Sequence, residues 1–281
     1  MTQTTELKKI ATQVRRDVLR MVHAVQSGHP GAALGCADFF TAMYFKILNH
    51  NPQKFVMNGK GEDMFFLSNG HLSAVWYSVL ARSGYFEVSE LASFRKIDSR
   101  LQGHPATEEN LPGVRIASGS LGQGLSAACG AAISKKLNND NNLVYCLMGD
   151  GELQEGQIWE AAMFAAGRKV DNLIGIVDFN GKQIDGPVDE IMPLLDLKAK
   201  WESFGWEVLE MDGNNMEDIL ETISKAQSKC GNGKAVMILM KTEMGYGVDF
   251  MMGTHKWHGS PPNDEQLEKA MSNFEETLGD Y

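Results

Sequence analysis

The sequence has few of the features that mark several common protein classes. Its four cysteines are widely spaced and form no CxxC pair, which favours buried free thiols over disulfides, metal ligands or a nucleophile. It has no signal-peptide core and no apolar run of roughly 18 residues, so we expect a soluble, cytoplasmic protein without a membrane span. Neither GxGxxG nor a P-loop follows the first strand, and the net charge of -10 argues against a nucleic-acid surface.

The sequence does contain short apolar runs that alternate with amphipathic segments. Continuous apolar runs predict parallel strands buried on both faces, at 64–67, 143–148, 173–179, 207–211 and 235–240. Apolar residues at helical spacing predict helices at 6–26, 154–168, 194–204, 216–228 and 263–278. This alternation indicates an α/β fold, an open and mostly parallel sheet with helices on both faces. No interior linker or repeat interrupts it, so we expect a single domain over residues 1–281.

Polar residues follow two strands that we expect to be neighbours. The run at 143–148 leads into Gly149-Asp150-Gly151, and the run at 173–179 leads into Asn180-Gly181-Lys182. If a right-handed crossover joins the strands, both turns emerge at one edge of the sheet, about 5 Å apart. A carboxylate, an amide oxygen and a backbone carbonyl suit Mg²⁺ or Ca²⁺, and Mg²⁺ leaves room for a diphosphate. Gly149 and Gly151 would let backbone N–H groups approach that diphosphate. A tight turn without metal explains the first segment alone, but not both segments at this spacing.

These two segments, GDGELQEG and DFNGKQIDG, resemble the thiamine diphosphate motif and, in its fuller form, that of transketolase. The resemblance implies that Asp150, Asn180 and the carbonyl of Lys182 hold Mg²⁺, which bridges the two phosphates of the cofactor; Ca²⁺ is a possible substitute. It also implies cofactor contacts for a wider set of residues, namely Gly149, Asp150, Gly151, Glu155, Asn180 and Ile184.

Four other segments resemble the same family, and each carries a histidine that we take as a candidate catalytic residue. They are SGHPG with His29, SNGH with His71, GHP with His104 and WHG with His258. The resemblance implies that His29 and His104 contact the substrate and that His104 transfers protons. It implies that His71 and His258 bind the cofactor phosphates and that His258 also reaches the substrate. Singly, such histidines are usually surface or packing residues, and the residues before His71 also suit a helix cap.

The segment GSLGQG also resembles the family and implies that Gly119 and Leu121 contact the pyrimidine side of the cofactor. Two positions depart from the family pattern. Ser120 stands where proline is common, and Ala106 stands where an acidic residue is common. Long loops at 97–119 and 241–262 carry the last two histidines, and functional loops are often this long. The apolar insert at 248–252 either covers the site, contacts another chain or forms a locally buried hairpin.

The resemblance covers the amino-terminal, diphosphate-binding domain of a transketolase. No segment resembles the family's second domain, which binds the aminopyrimidine ring. We therefore expect the amino-terminal subunit of a two-chain transketolase, which acts on sugar phosphates and is active only with a partner. The expected partner is a carboxyl-terminal transketolase subunit carrying the pyrimidine-binding domain, in a heterotetramer. Glu155 and Glu160 would join a carboxylate network at the interface, or else lie on a solvated helix face.

The sequence also allows two other functions. One is another thiamine diphosphate enzyme, either similar to deoxyxylulose-phosphate synthase or a transketolase for an unusual phosphorylated or sulfonated ketose. The other is a non-catalytic subunit that only holds the cofactor.

Overall fold

A computed structural model describes residues 3–281 and places a five-stranded parallel sheet at the centre of the chain. Seven strands lie within those residues: β1 (Met64–Leu67), β2 (Val144–Gly149), β3 (Leu173–Phe179), β4 (Lys182–Gln183), β5 (Gly186–Pro187), β6 (Glu207–Asp212) and β7 (Val236–Lys241). Strands β4 and β5 form a short antiparallel pair. The other five are parallel, in the spatial order β1-β2-β3-β7-β6.

Helices lie on both faces of this sheet. Within the described residues they are α1 (Gln3–Ala24), α2 (Pro30–Gly35), α3 (Ala37–Ala42), α4 (Ser73–Arg82), α5 (Gln123–Leu137), α6 (Gly156–Gly167), α7 (Val188–Ile191), α8 (Leu197–Ser203), α9 (Met216–Lys229) and α10 (Asp264–Met271). One buried apolar cluster joins the sheet to α1, α3, α4 and α9. A second cluster on the opposite face joins it to α5, α6 and α8. The predicted open parallel sheet with helices on both faces is confirmed.

The direction of each crossover explains which face its helix covers. Helix α6 connects β2 to β3, and α9 connects β6 to β7 in the opposite direction across the sheet. Because such crossovers are right-handed, opposite directions place their helices on opposite faces. After β1 the chain continues to α4 on one face of the sheet, and after β2 it continues to α6 on the other face. Such a divergence opens a crevice at the carboxyl ends of the strands.

The ends of several predicted helices differ from the structure. Helix α6 begins at Gly156 because Glu155 has an extended backbone after the 3₁₀ turn Gly151–Gln154. The helix expected over 263–278 ends at Met271, so that prediction is wrong beyond this residue. The segment that follows packs along α1 instead: the Thr277 N–H donates to Gln13, and Asp280 pairs with Arg16 at 2.7 Å. These partners replace the hydrogen bonds of a longer helix.

The apolar insert at 248–252 packs into the fold through two of its side chains. Val248 and Met251 are fully buried in the same cluster as α1, and the Phe250 ring lies 5.3 Å from that of Trp257. Of the interpretations left open, a locally buried segment fits this packing. The four cysteines are free thiols, three of them buried. No helix in residues 3–281 is both long and apolar enough to cross a membrane.

Candidate functional site

A cleft of about 400 Å³ opens at the carboxyl edge of the sheet. The structure brings all the site residues selected from the sequence to its walls: His29, His71, His104, Gly119, Leu121, Gly149, Asp150, Gly151, Glu155, Asn180, Lys182, Ile184 and His258. Their individual roles remain predictions. Four further residues line the cleft and were missed by sequence reasoning: Glu152, Gln154, Asp178 and Gln183.

The four histidines come from four separate segments. His29 directly precedes α2, whose first residue is proline, and His71 lies in the 3₁₀ turn Gly70–Leu72 ahead of α4. His104 lies in the long loop before α5, and His258 follows the 3₁₀ turn His255–Trp257. The His29 ring centroid lies 5.1 Å from that of His71, 6.2 Å from that of His104 and 5.6 Å from that of His258. The imidazoles therefore form one cluster.

Burial keeps these imidazoles neutral. It lowers the pKa of His29 to about 3, with smaller contributions from His258, Arg95 and His104. Burial also lowers the pKa of His71 well below its ordinary value, and it is the main cause of the lowered pKa values of His104 and His258. Nδ1 of His29 and Nδ1 of His258 are buried and have no hydrogen-bond partner among residues 3–281. A neutral imidazole with a free nitrogen can exchange hydrogen bonds and protons with a ligand.

The acidic side of the cleft is built by the turns that follow β2 and β3. The Asp150 carboxylate accepts hydrogen bonds from the N–H of Gly151 at 2.7 Å and from the N–H of Gly181 at 2.6 Å. The Asn180 Oδ1 accepts from the N–H of Lys182 at 2.9 Å, and its Nδ2 donates to Asp178 at 2.8 Å. Both ends of the Asn180 amide are therefore fixed.

Two buried carboxylates lie close together below this turn. Burial, and after it the charge of Asp178, raises the pKa of Asp150 to about 7, and burial raises the pKa of Asp178 to about 6. No ion pair within the described residues joins either carboxylate to a basic side chain. A bound cation would favour their ionised forms.

The donor set at this turn fits a hard divalent ion. Residues 3–281 contain no group of three or more His, Cys, Asp or Glu side chains arranged for a metal. The predicted set consists instead of one carboxylate, one amide oxygen and the Lys182 carbonyl. Oxygen donors of mixed type suit Mg²⁺, which commonly completes its coordination with phosphate and water oxygens. The residues present therefore fit Mg²⁺ bound together with a diphosphate.

The glycine N–H groups of this turn have partners other than those expected. The Gly149 N–H donates to Glu152 at 3.0 Å, and the Gly151 N–H donates to Asp150. Both N–H groups therefore have acceptors within the chain, and contact of Gly149 and Gly151 with a diphosphate stays a prediction. Ser68 and Asn69 form no cap on the turn that they precede; the Ser68 hydroxyl donates to Glu152 instead.

Of the residues missed, Asp178 could have been selected from a signal in the sequence. Asp178 interrupts the apolar run of β3, and a carboxylate in a strand buried on both faces requires partners. Its partners include the Thr242 hydroxyl and Asn180. Glu152 directly follows the GDG turn, but its burial depends on contacts with residues distant in sequence. Gln154 and Gln183 hydrogen bond to each other across the cleft at 2.8 Å, and no sequence pattern indicates that pair.

The fold and this site define a thiamine diphosphate-binding domain. Residues 7–276 match the family described as transketolase, thiamine diphosphate binding domain. The chain belongs to the transketolase family, as its motifs predicted.

Several relatives match this chain over nearly their whole length. It is 36% identical to one of the subunits of the apulose-4-phosphate transketolase of Actinobacillus succinogenes, over 96% of each chain. It is also 36% identical to the 6-deoxy-6-sulfo-D-fructose transketolase subunit SqwG of a Clostridium species, over 97% of this chain and 98% of the relative. These matches confirm the prediction that the chain is an amino-terminal subunit of a split transketolase.

Full-length transketolases are longer than this chain. The solved transketolase of Campylobacter jejuni superposes with a TM-score of 0.87 at 36% identity, over 97% of this chain and 43% of that one. Human transketolase is 35% identical over 91% of this chain and 40% of its own length. The chain thus spans about two fifths of these proteins.

Proposed function

We propose that this chain is the amino-terminal, cofactor-binding subunit of a two-chain transketolase, which transfers a two-carbon ketol unit from a ketose phosphate to an aldose phosphate. The observation that carries the proposal is the convergence of four neutral histidines on a cleft beside Asp150 and Asn180. Its cofactors are thiamine diphosphate and Mg²⁺, with Ca²⁺ as a possible substitute. We place the enzyme in the cytoplasm.

The residues of this chain would bind and orient the reactants. Thiamine diphosphate supplies the nucleophilic carbon and the electron sink of ketol transfer. Asp150, Asn180 and the Lys182 carbonyl would hold Mg²⁺ against the diphosphate, where the buried carboxylates favour a cation. His71 and His258 would donate hydrogen bonds to phosphate oxygens, and Gly119 and Leu121 would lie against the pyrimidine side of the cofactor.

The remaining histidines would handle the substrate. His29 and His104 are neutral and can accept a proton from a ketose hydroxyl or donate one to a carbonyl oxygen. In His29, Nδ1 is buried and has no hydrogen-bond partner among the described residues. Because burial lowers the pKa values of these imidazoles, they remain unprotonated at neutral pH and retain an acceptor nitrogen.

Helix α6 is the surface that we assign to the partner subunit. It begins after Glu155 and exposes Glu160, Met163 and Phe164, the last two with 61% and 46% of their surface accessible. The two exposed apolar side chains lie one helical turn beyond Glu160, and such side chains suit a protein interface better than solvent. We propose that a carboxyl-terminal transketolase subunit covers this face and that two copies of each chain form a heterotetramer. Glu155 and Glu160 would then join a carboxylate network across the interface.

A second candidate concerns the substrate. The two nearly full-length relatives named above are transketolase subunits for apulose-4-phosphate and for a sulfonated fructose. Their names favour an unusual phosphorylated or sulfonated ketose over a common sugar phosphate. The histidine cluster suits any ketose, because it addresses the hydroxyl and carbonyl groups that these sugars share.

The test is ketol transfer by this chain alone and by this chain mixed with the pyrimidine-domain chain from the same source. Each assay contains thiamine diphosphate and Mg²⁺ and a panel of phosphorylated and sulfonated ketoses, and mixtures without cofactor or with a chelator serve as controls. We expect activity only in the complete mixture. Activity of this chain alone would contradict the two-chain proposal. A mixture that binds cofactor but is inert with every ketose would favour the non-catalytic subunit.

A further inference from the structure

Glu152 joins three turns that are distant in sequence. It is buried, with 2% of its surface accessible. Its Oε1 accepts hydrogen bonds from the Ser68 hydroxyl and from the Gly122 N–H, the latter at 2.7 Å. Its Oε2 accepts from the Gly149 N–H at 3.0 Å. The Ser68 hydroxyl oxygen in turn accepts from the Gly124 N–H at 3.0 Å, which extends the network into α5.

Each of these turns carries residues that we assign to the cofactor. The Ser68 turn follows β1 and leads to His71. The Gly122 turn follows Gly119 and Leu121, and the Gly149 turn leads to Asp150. Gly122 has a φ of +87°, and a Cβ there would lie 3.0 Å from the Cβ of Glu155, so this turn is tightly constrained. One carboxylate therefore connects the segments on three sides of the cleft.

We propose that Glu152 is a positioning residue that holds these three turns at the separation required by the diphosphate end of thiamine diphosphate. The inference rests on the proposed function. An ionised carboxylate only accepts hydrogen bonds and can take several at once, so it satisfies three donors that converge from different segments. A glutamine at this position would place its own NH₂ group against at least one of these donors.

A carboxylate at the opposite edge of the sheet provides a matched control. Asp63 is also buried, with 8% of its surface accessible. It accepts hydrogen bonds from the N–H of Asn49 at 2.9 Å and from the N–H of Leu143 at 2.7 Å. Asp63 thus joins the segments that enter β1 and β2, far from the cleft. If Glu152 only stabilises the fold, Glu152→Gln and Asp63→Asn should have the same kind of effect.

The experiment compares Glu152→Gln, Asp63→Asn and the unaltered chain, each in complex with the partner chain. Calorimetry measures the Kd of thiamine diphosphate at fixed Mg²⁺, thermal unfolding measures Tm, and the assay measures ketose KM and kcat at saturating cofactor. We expect Glu152→Gln to raise the cofactor Kd at least tenfold while the ketose KM stays within twofold and saturating cofactor restores most of kcat. Asp63→Asn should lower Tm and leave the cofactor Kd within twofold.

Two results would overturn the inference: an unchanged cofactor Kd in Glu152→Gln, or an equal rise in Asp63→Asn. If Glu152→Gln does not fold, Ser68→Ala removes one donor from the same carboxylate and should raise Kd about threefold; an unchanged Kd there would also reject the inference. Failure of the unaltered complex to bind thiamine diphosphate would reject the proposed function and the inference together. Normal binding by the unaltered complex and by Glu152→Gln would reject the inference alone.

Discussion

The two edges of the parallel sheet both bury charged residues, but they differ in how those charges are paired. At the amino edge, the Lys135 ammonium donates to the carbonyls of Gly59 at 2.8 Å and Glu62 at 2.7 Å and to the Asp140 carboxylate at 2.9 Å. The Glu62 side chain pairs with Arg115. At the carboxyl edge, Asp150 and Asp178 lie buried beside each other, and neither has a basic partner in the described part of the chain.

This difference separates residues that stabilise the fold from residues poised to bind a ligand. A buried charge with a close opposite charge and several hydrogen bonds is satisfied within the chain. Buried like charges and imidazoles without partners have unfavourable free energies that a cation or a polar ligand can relieve. The amino edge should therefore respond to mutation through stability, and the carboxyl edge through binding.

The largest effect on stability is expected from Lys135→Met. The change keeps most of the side-chain volume but removes the positive charge beside the Asp140 carboxylate and one donor from each of two carbonyls, which should lower the free energy of unfolding by about 3 kcal/mol. Urea unfolding of the chain measures this. The neighbouring Lys136→Met removes an exposed pair with Asp171 and should cost less than about 1 kcal/mol. If Lys135→Met changed the cofactor Kd, the amino edge would affect binding as well as stability, which would contradict this separation of the two edges.

Asp150→Ala should have the opposite effect, weakening cofactor binding and leaving the fold intact. It removes the carboxylate predicted to bind Mg²⁺, so Mg²⁺-dependent binding of thiamine diphosphate should weaken at least 100-fold, about 2.7 kcal/mol. The fold should persist, because losing the acceptor for two backbone N–H groups is offset by relief of the repulsion from Asp178. Calorimetry with Mg²⁺ and thermal unfolding without it measure the two effects.

The exposed Asp189→Ala in α7 is the control for Asp150→Ala and should change neither quantity. Unchanged cofactor affinity in Asp150→Ala would remove this residue from the site.

The sequence predicted the sheet and the cleft because both depend on local patterns. Continuous apolar runs marked the five strands of the parallel sheet to within one residue, and short glycine-containing motifs marked the turns that carry His29, His71 and Asp150. The short strands β4 and β5 have no apolar run and were not predicted. The amino edge and Glu152 were not predicted. Their hydrogen bonds join residues far apart in sequence, such as Ser68 with Glu152 and Gly59 with Lys135, and no local pattern records such a contact. The end of α10 was missed for the same reason, since it depends on partners in α1.

The smallest effect, and a test of the carboxyl edge alone, is the pH dependence of stability caused by His29. Burial, with the nearby His258, Arg95 and His104, lowers its pKa from 6.5 to about 3 in the folded chain. The unfolded chain therefore binds more protons at this site below pH 6.5, so the stabilising contribution is complete above that pH and is lost as the pH falls towards 3. At pH 5 this loss amounts to roughly 1–2 kcal/mol, allowing for partial exposure of the ring.

His29→Gln should reduce the difference in unfolding free energy between pH 7.5 and pH 5 by that amount, as measured by urea unfolding at both values. Equal differences in the two proteins would mean that His29 is not held neutral by its burial.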